Sequence, residues 1–400
     1  MSDSVSGFGG GEPMIHIRDV TKQYEGQGRP AVDHVSLDVA AGEIVILVGP
    51  SGCGKTTTLK MINRLIEPTS GEILVAGTDV MQTSPKELRR RIGYVIQQVG
   101  LFPHMSVARN IALVPRMLSW DKQRIANRVD ELLHLVGLDP AQYRNRRPRQ
   151  LSGGQQQRVG VARALAADPP VLLMDEPFAA TDPITRERLQ NELLRLQAEI
   201  QKTIVFVTHD FDEAVKLGDR IAVLSGESRL AQYDTPDNVL AHPADDFVAQ
   251  FVGTGAAVKR LTLAEVGTLP GRAWDTAQVG ETGAALRSRL AHSAHDRLLL
   301  LDEGRRPVAW VTAEVPEGPV GADQGRAVQA VSTRATLFEA LDLMLKTGSP
   351  AIAVTGEHGE YLHVVETPAI MAAAASGDAK AGPEPPAGTD GPDGRLEVSP

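Results

Sequence analysis

One glycine-rich stretch decides the fold, and it reads Gly49-Pro50-Ser51-Gly52-Cys53-Gly54-Lys55-Thr56-Thr57. An apolar run at 43–48 precedes it and an amphipathic segment at 57–66 follows it, which predicts a strand, a loop and a helix. The spacing G-x-x-x-x-G-K-[ST] is typical of a phosphate-binding loop. The glycines let backbone N–H groups surround an anion, Lys55 adds a positive charge for the terminal phosphates, and Thr56 offers a hydroxyl to Mg²⁺. We therefore expect the nine residues to line a phosphate site.

The composition of the chain limits its partners. The 400 residues carry a formal net charge of −9, which argues against a nucleic-acid partner because phosphate backbones are held by clustered Lys and Arg. The one cysteine, Cys53, allows no intrachain disulfide and fits a reducing cytoplasm. No apolar run approaches the ~20 residues of a membrane span, and the polar segment 1–13 is unlike a signal peptide. We expect any membrane role to come through a partner.

Alternating strands and helices around the loop predict a parallel, doubly wound α/β core. Period-two alternation at 15–20 and 35–39 and a hairpin at 71–79 predict an additional antiparallel part. From 106 to 150 the apolar spacing is helical, which predicts a helical insertion. The core strands are predicted at 92–96, 171–177 and 203–208, and the core helices at 156–167 and 184–201.

Polar residues stand where three core strands end. Gln97 ends the first of them, Asp175 and Glu176 end the second, and His209 ends the third. In such sheets, ligands bind in the crevice at the carboxyl ends of the strands. Upstream, Tyr24 is either inert surface or an aromatic ring that stacks on an adenine.

The stretch Leu151-Ser152-Gly153-Gly154-Gln155 is the third of five features that follow one another along the chain. The other four are the phosphate loop, the strand that ends in Gln97, the strand that ends in Asp175 and Glu176, and the strand that ends in His209. Together they resemble the ATP-binding subunit of ABC transporters, over residues 15–253. The resemblance implies that Asp175 holds Mg²⁺ opposite Thr56 and that Glu176 is the base that orients the attacking water. It also implies that Gln97 completes the metal and water shell, that His209 contacts the γ-phosphate, and that Tyr24 stacks on adenine. The competing interpretations are a strand-end histidine that is only a cap and paired carboxylates that are only solvated.

In that family the segment of Ser152, Gly153, Gly154 and Gln155 serves the nucleotide held by the opposite cassette. The chain carries one phosphate loop and one such segment, so the resemblance implies an ATP-dependent homodimer with two composite sites. One position departs from the family pattern: Thr181 stands where a leucine is usual before Asp182, which bears on contacts between the two copies.

Two further stretches, 94–107 and 182–186, are similar to the subunits that power uptake of glycine betaine, carnitine, choline or proline. The resemblance implies transmembrane permease subunits, an extracytoplasmic substrate-binding protein and a place at the cytoplasmic face of the membrane. An importer of a sugar or an amino acid, a soluble ABC-type ATPase acting on DNA or ribosomes, and a regulator without turnover are the alternatives.

The sequence after the cassette predicts a second, smaller α+β domain. With the cassette at 14–253, residues 259–375 repeat a strand–turn–strand plan that resembles a cystathionine-beta-synthase-type (CBS) regulatory pair. Five arginines of this domain form either a patch that binds anionic lipid or a solvated charged face, and they are Arg287, Arg289, Arg297, Arg305 and Arg306. Residues 376–400 are rich in Pro, Gly, Asp and Ala and are predicted to be disordered.

The cysteine in the phosphate loop allows two interpretations. Lys55 and the following helix dipole lower the pKa of the Cys53 thiol and make it reactive, or Cys53 is a small apolar filler. A reactive thiol would be alkylated with loss of ATPase activity, and bound ATP would protect it.

Overall fold

A computed structural model describes residues 13–96, 100–179 and 181–375. The chain divides into two compact units, 1–259 and 260–400, which are described separately. The strands are β1 (Ile15–Lys22), β2 (Val32–Val39), β3 (Ile44–Val48), β4 (Ser70–Val75), β5 (Thr78–Asp79), β6 (Ile92–Val95), β7 (Val171–Asp175), β8 (Thr203–Val207), β9 (Arg220–Leu224), β10 (Leu230–Asp234), β11 (Thr276–Gln278), β12 (Leu298–Leu301), β13 (Pro307–Val311), β14 (Arg326–Ala327), β15 (Ala330–Ser332), β16 (Ala351–Thr355) and β17 (Tyr361–Glu366).

Fifteen α-helices lie within the described residues. They are α1 (Lys55–Ile62), α2 (Pro85–Arg91), α3 (Val107–Ile111), α4 (Leu113–Met117), α5 (Lys122–Leu135), α6 (Pro140–Tyr143), α7 (Gly153–Leu165), α8 (Pro183–Ile200), α9 (Phe211–Leu217), α10 (Pro236–Ala241), α11 (Asp246–Val252), α12 (Ala256–Arg260), α13 (Gly283–Leu290), α14 (Leu337–Thr347) and α15 (Thr367–Ala375). None of the helices in the described ranges combines the length and the apolar character that crossing a bilayer requires.

A six-stranded sheet in the order β10-β9-β3-β8-β7-β6 forms the core of the first unit. Its strands run parallel except β10, which pairs antiparallel with β9 at one edge. Every residue of β3, β7 and β8 is buried, because both faces of a parallel sheet are covered. The predicted α/β fold is therefore confirmed, and the carboxyl ends of β3, β8 and β7 lie side by side.

Two layers cover the core sheet. Residues that alternate along β3, such as Val45 and Leu47, pack with α1 and with the antiparallel sheet β2-β1-β4-β5. Their neighbours Ile44 and Ile46 pack on the other face with α3, α5, α7, α8 and α9. The predicted helical insertion corresponds to α3 through α6, and its longest helix, α5, begins at the capping residue Asp121.

The second unit repeats one arrangement of elements. In each repeat a short strand, a helix and two longer strands follow one another along the chain. The short strand pairs parallel with the first longer strand, which pairs antiparallel with the second. The first repeat consists of β11, α13, β12 and β13. The same order recurs as β15, α14, β16 and β17. The sequence pattern indicated the helix and the last two strands of each repeat and missed β11 and β15, which have three residues each.

Two predicted helices have different bounds in the structure. The helix predicted at 57–66 begins at Lys55, because Gly54 caps it in a left-handed conformation, and it ends at Ile62. Arg64, two residues later, has a φ of 45°, which no α-helix accommodates. The helix predicted at 156–167 begins three residues earlier, at Gly153, because Ser152 and Gln155 form a capping box.

Candidate nucleotide site at the carboxyl ends of the core strands

The phosphate loop, residues 49–57, consists of the connection between β3 and α1 and the first three residues of α1, and it turns around the Lys55 side chain. The ammonium of Lys55 donates hydrogen bonds to the carbonyl oxygens of Gly49 (2.7 Å) and Pro50 (2.9 Å). The residue is only 6% exposed. A buried ammonium requires acceptors, and these two carbonyl oxygens supply them, so the loop holds the charge at its centre.

Two glycines of this loop permit the close packing. Gly54 has a φ of 93°, and a Cβ there would collide with the carbonyl oxygen of Ala31. A Cβ on Gly49 would collide with the carbonyl oxygen of Leu224 and crowd the Cys53 sulfur. The backbone of the phosphate loop is therefore fixed by its neighbours, whereas Gly52, with a φ of 85°, has open space around it.

The first two ligands proposed for a metal ion lie together. The Thr56 hydroxyl donates to Asp175 Oδ1 at 2.9 Å, from the first turn of α1 to the last residue of β7. Burial raises the pKa of Asp175, whose side chain is mostly enclosed. A hydroxyl and an enclosed carboxylate at this spacing fit a hard cation that keeps water and phosphate as its other ligands, as Mg²⁺ does. The described residues contain no group of three or more His, Cys, Asp and Glu that could hold a metal ion.

Glu176 lies at a strained bend after β7. Its φ is 43°, in the left-handed region that few residues other than glycine adopt, and its N–H donates to the carbonyl oxygen of Val207 on β8. The bend brings Glu176 Oε2 to 3.4 Å from Nδ1 of His209. The side chain of His209 is 60% exposed and that of Glu176 is 21% exposed, so the pair faces the open edge of the site.

Two other predicted site residues are Gln97 and Tyr24. Gln97 lies outside the described residues, although β6 ends at Val95 beside β7. Tyr24 is half-buried in the connection between β1 and β2, with the Lys22 ammonium 5.2 Å from its ring centroid. The same connection reaches the phosphate loop, because it contains the Ala31 carbonyl that packs against Gly54.

The segment 151–155 lies at the start of α7. The Ser152 hydroxyl accepts from the Gln155 N–H at 3.3 Å, and the Gln155 side chain accepts from the Ser152 N–H at 3.0 Å. Gln155 also donates to the Tyr143 hydroxyl at 3.1 Å. Ser152 and Gly153 are exposed, while Gly154 is buried. The helix end that they form is open to an anion supplied from outside the segment.

The unusual Thr181 has a partner within its own loop. Its hydroxyl donates to the carbonyl oxygen of Phe178 at 2.7 Å, which closes a turn before Asp182 caps α8. A leucine at this position would lack that bond. Sequence reasoning noted the departure but gave no reason for it.

The reactive-thiol interpretation of Cys53 is wrong in this structure. Cys53 is 1% exposed and packs in the core between the sheet and α1. Burial raises the pKa of the Cys53 thiol, and the nearby Lys55 opposes this without reversing it. Cys53 is therefore a buried filler of the loop, the second of the two interpretations.

The fold and this arrangement define an ATP-binding cassette. Residues 32–179 match the family described as ABC transporter. The glycine betaine/carnitine/choline transport ATP-binding protein OpuCA of Bacillus subtilis is 43% identical over 365 residues, which cover 90% of this chain and 95% of that protein. The chain therefore belongs to the ABC transporter family, as one of its ATP-binding proteins.

Other similar proteins match a smaller share of the chain. The osmoprotectant import ATP-binding protein OsmV of Salmonella typhimurium is 56% identical over 64% of this chain and 67% of that protein. Among solved structures, a dimeric ATP-binding cassette in a post-hydrolysis state bound to ADP and Pi is 36% identical, with a TM-score of 0.50. The match covers 56% of this chain and 98% of that one.

Proposed function

We propose that this chain is the ATP-hydrolysing subunit of a membrane importer for osmoprotectants such as glycine betaine, choline, carnitine or proline. The single observation that carries the solute class is the OpuCA match, because it extends through both units of the chain. The cassette alone does not distinguish one class of transported solute from another. A spermidine/putrescine import ATP-binding protein of Chromobacterium violaceum is also 46% identical, over 60% of this chain.

In the proposed reaction, Lys55 and the N–H groups of the phosphate loop bind the phosphates of ATP. Thr56 and Asp175 would hold Mg²⁺, with Gln97 as a third contact; when bound, the ion neutralises charge on the phosphates. Glu176 accepts the hydrogen bond of the attacking water and takes up its proton as the bond to the γ-phosphorus forms, while the bond from that phosphorus to the bridging oxygen breaks and ADP leaves with those electrons. His209, beside Glu176, donates to the γ-phosphate and keeps the Glu176 carboxylate in place. Tyr24 stacks on the adenine ring.

The second half of each site comes from a second copy of the chain. Ser152 and Gly153 are exposed at the start of α7, and a helix start of this kind suits the γ-phosphate of a nucleotide held elsewhere. Two copies related by a two-fold axis would each complete the other's site. The pair would lie against transmembrane permease subunits at the cytoplasmic face of the membrane and receive solute through an extracytoplasmic binding protein.

The second unit is proposed to regulate the cassette. Its doubled strand–helix–strand–strand arrangement supports the resemblance to a CBS pair, with the proposed domains at 14–253 and 259–375. The contacts of its arginines favour a solvated face over a lipid-reading patch. Arg289 lies 2.9 Å from Glu281, Arg297 lies 2.8 Å from Asp296, and Arg287 donates to the Val315 carbonyl at 2.7 Å. The predicted tail at 376–400 lies outside the described residues.

Uptake by intact cells tests the proposed function. Cells that lack the chain would be given the wild-type chain or the Glu176→Gln variant, and accumulation of radiolabelled glycine betaine, choline, carnitine and proline would be measured. We expect at least one of the four to accumulate only with the wild-type chain. Equal accumulation of all four in the three strains would contradict the proposal, and loss of sugar or amino-acid uptake instead would support the alternative importer.

A further inference from the structure

A polar network behind the Glu176–His209 pair joins the two segments that hold these residues. Arg186, in the first turn of α8, donates from Nη2 to the carbonyl oxygen of Thr181 at 3.3 Å. Its Nη1 lies 3.6 Å from Asp210 Oδ2. One guanidinium thus contacts both the loop that follows Glu176 and the residue that follows His209.

Asp210 uses its two oxygens for two different purposes. Oδ1 accepts from the N–H groups of Asp212 (2.9 Å) and Glu213 (3.2 Å) and so caps α9. Oδ2 faces Arg186. The helix cap and the ion pair are therefore separable, because an asparagine retains the capping oxygen and loses the charge.

A second contact between α8 and α9 lies one helical turn further on. Gln190 Nε2 donates to Glu213 Oε1 at 3.0 Å, and the two residues are 7% and 6% exposed. Glu213 is also hydrogen-bonded to the side chain of Thr208, the residue before His209. A buried carboxyl group with two side-chain hydrogen-bond partners resists displacement, because moving it would leave its oxygens without these partners.

These groups enclose very little free space beside Glu176. Glu176, Thr208, Glu213 and Arg186 line a cavity of about 10 Å³ together with Phe178 and His209. Such a volume holds about one water molecule. A displacement of one wall is therefore transmitted to the others.

We propose that Arg186 and Glu213 are positioning residues for ATP hydrolysis, holding the turn at Thr181 and the segment 208–210 as one body so that Glu176 and His209 keep their spacing. The inference rests on the proposed role of Glu176. It also connects Thr181, which precedes α8 and is expected to face the second copy, through Arg186 to Asp210, the residue that follows His209 in the same chain.

Three variants that remove a charge test the network in the full-length chain: Arg186→Gln and the two isosteric substitutions Asp210→Asn and Glu213→Gln. Each is expected to lower kcat about tenfold, because small misplacements of reacting groups are costly, while the KM for ATP stays within about twofold. Arg186→Gln and Asp210→Asn together are expected to lower kcat no more than Arg186→Gln alone, because Asp210→Asn removes an ion pair that Arg186→Gln already removes. Arg195→Gln is the matched control, since Arg195 lies on the same helix with its side chain 63% exposed.

The Glu176→Gln background separates a positioning role from a general structural role. If Arg186 acts through Glu176, then Arg186→Gln added to Glu176→Gln leaves the residual single-turnover rate unchanged within about twofold. A further tenfold fall in that background, or a rise in KM together with a lower Tm, would overturn the inference. Wild-type turnover by all three single variants, with Glu176→Gln inactive, would overturn it and leave the proposed function intact. Wild-type turnover by Glu176→Gln would remove both.

Discussion

Two glycine-containing segments of this chain each begin a helix, yet they are built in opposite ways. The phosphate loop before α1 is closed: Lys55 is buried between carbonyl oxygens, and Gly54 leaves no room for a side chain. The segment 151–155 before α7 is open, with Ser152 and Gly153 exposed and with support from its capping box and from the Tyr143 hydroxyl. The first encloses a charged side chain within one chain, whereas the second presents an exposed helix start. This difference is the physical basis for expecting two copies to act together.

The largest expected contrast is in thiol reactivity. Native Cys53 should react with an alkylating reagent about a thousand times more slowly than a cysteine placed at Ser152, because reaching a buried group requires a local opening of about 4 kcal/mol. The comparison uses the wild-type chain against a Cys53→Ala, Ser152→Cys chain, with labelling followed by mass spectrometry. Comparable labelling rates at the two positions would contradict the closed and open descriptions.

The Gly54→Ala substitution tests the packing of the closed segment, the phosphate loop, directly. The added Cβ meets the Ala31 carbonyl at a φ of 93°, so the loop must shift at a cost of about 3 kcal/mol, and ATP affinity should fall about a hundredfold. Binding would be measured by titration of a fluorescent nucleotide. Gly77→Ala is the control, because Gly77 has a φ of 72° with nothing within 4 Å. Equal effects of the two substitutions would show that backbone strain alone, and not packing at the phosphate loop, sets the affinity.

Substitutions at Ser152 test whether the open segment 151–155 contacts a phosphate in addition to capping α7. Ser152→Ala removes the cap and should cost about 1 kcal/mol of stability, with roughly tenfold slower turnover and unchanged ATP binding to one copy. Ser152→Asp keeps a capping oxygen but places a negative charge where a phosphate is expected, so stability should recover and turnover should not. Thermal unfolding and steady-state ATPase assays would separate these effects. Recovery of turnover in Ser152→Asp would mean that the residue acts only as a helix cap.

The smallest expected effect comes from Tyr143. Tyr143→Phe removes the hydroxyl that accepts from Gln155, a hydrogen bond worth about 1 kcal/mol, and should slow ATP turnover about threefold or less. Tyr361→Phe removes a comparable hydroxyl, which accepts from the Trp274 N–H in the second unit, and should leave turnover unchanged. A larger effect of Tyr361→Phe than of Tyr143→Phe on turnover would contradict this ranking.

Much of the cassette could be predicted because its signals are local. Apolar runs followed by polar residues gave the strands β3, β7 and β8, and the glycine spacing gave the phosphate loop. The start of α7 was placed three residues late although Ser152 and Gln155 carry the capping-box pattern that marks it.

The rest could not be predicted because it depends on packing between distant segments. The burial that raises the pKa of the Cys53 thiol comes from core residues that are distant from it in sequence, and no local pattern predicts it. The same holds for the contact between Gln190 and Glu213, which are 23 residues apart in sequence. The strands β11 and β15 are too short for a periodic pattern to appear.

The mass of the Glu176→Gln chain in Mg-ATP tests the central proposal most directly. Because this variant should bind ATP and hydrolyse it very slowly, light scattering after size exclusion should give twice the 42.8 kDa mass of one chain. Adding Ser152→Asp to the same chain should return the mass to that of one copy with ATP still bound. A single-copy mass for Glu176→Gln with ATP bound, or a doubled mass that is indifferent to Ser152, would contradict the composite site.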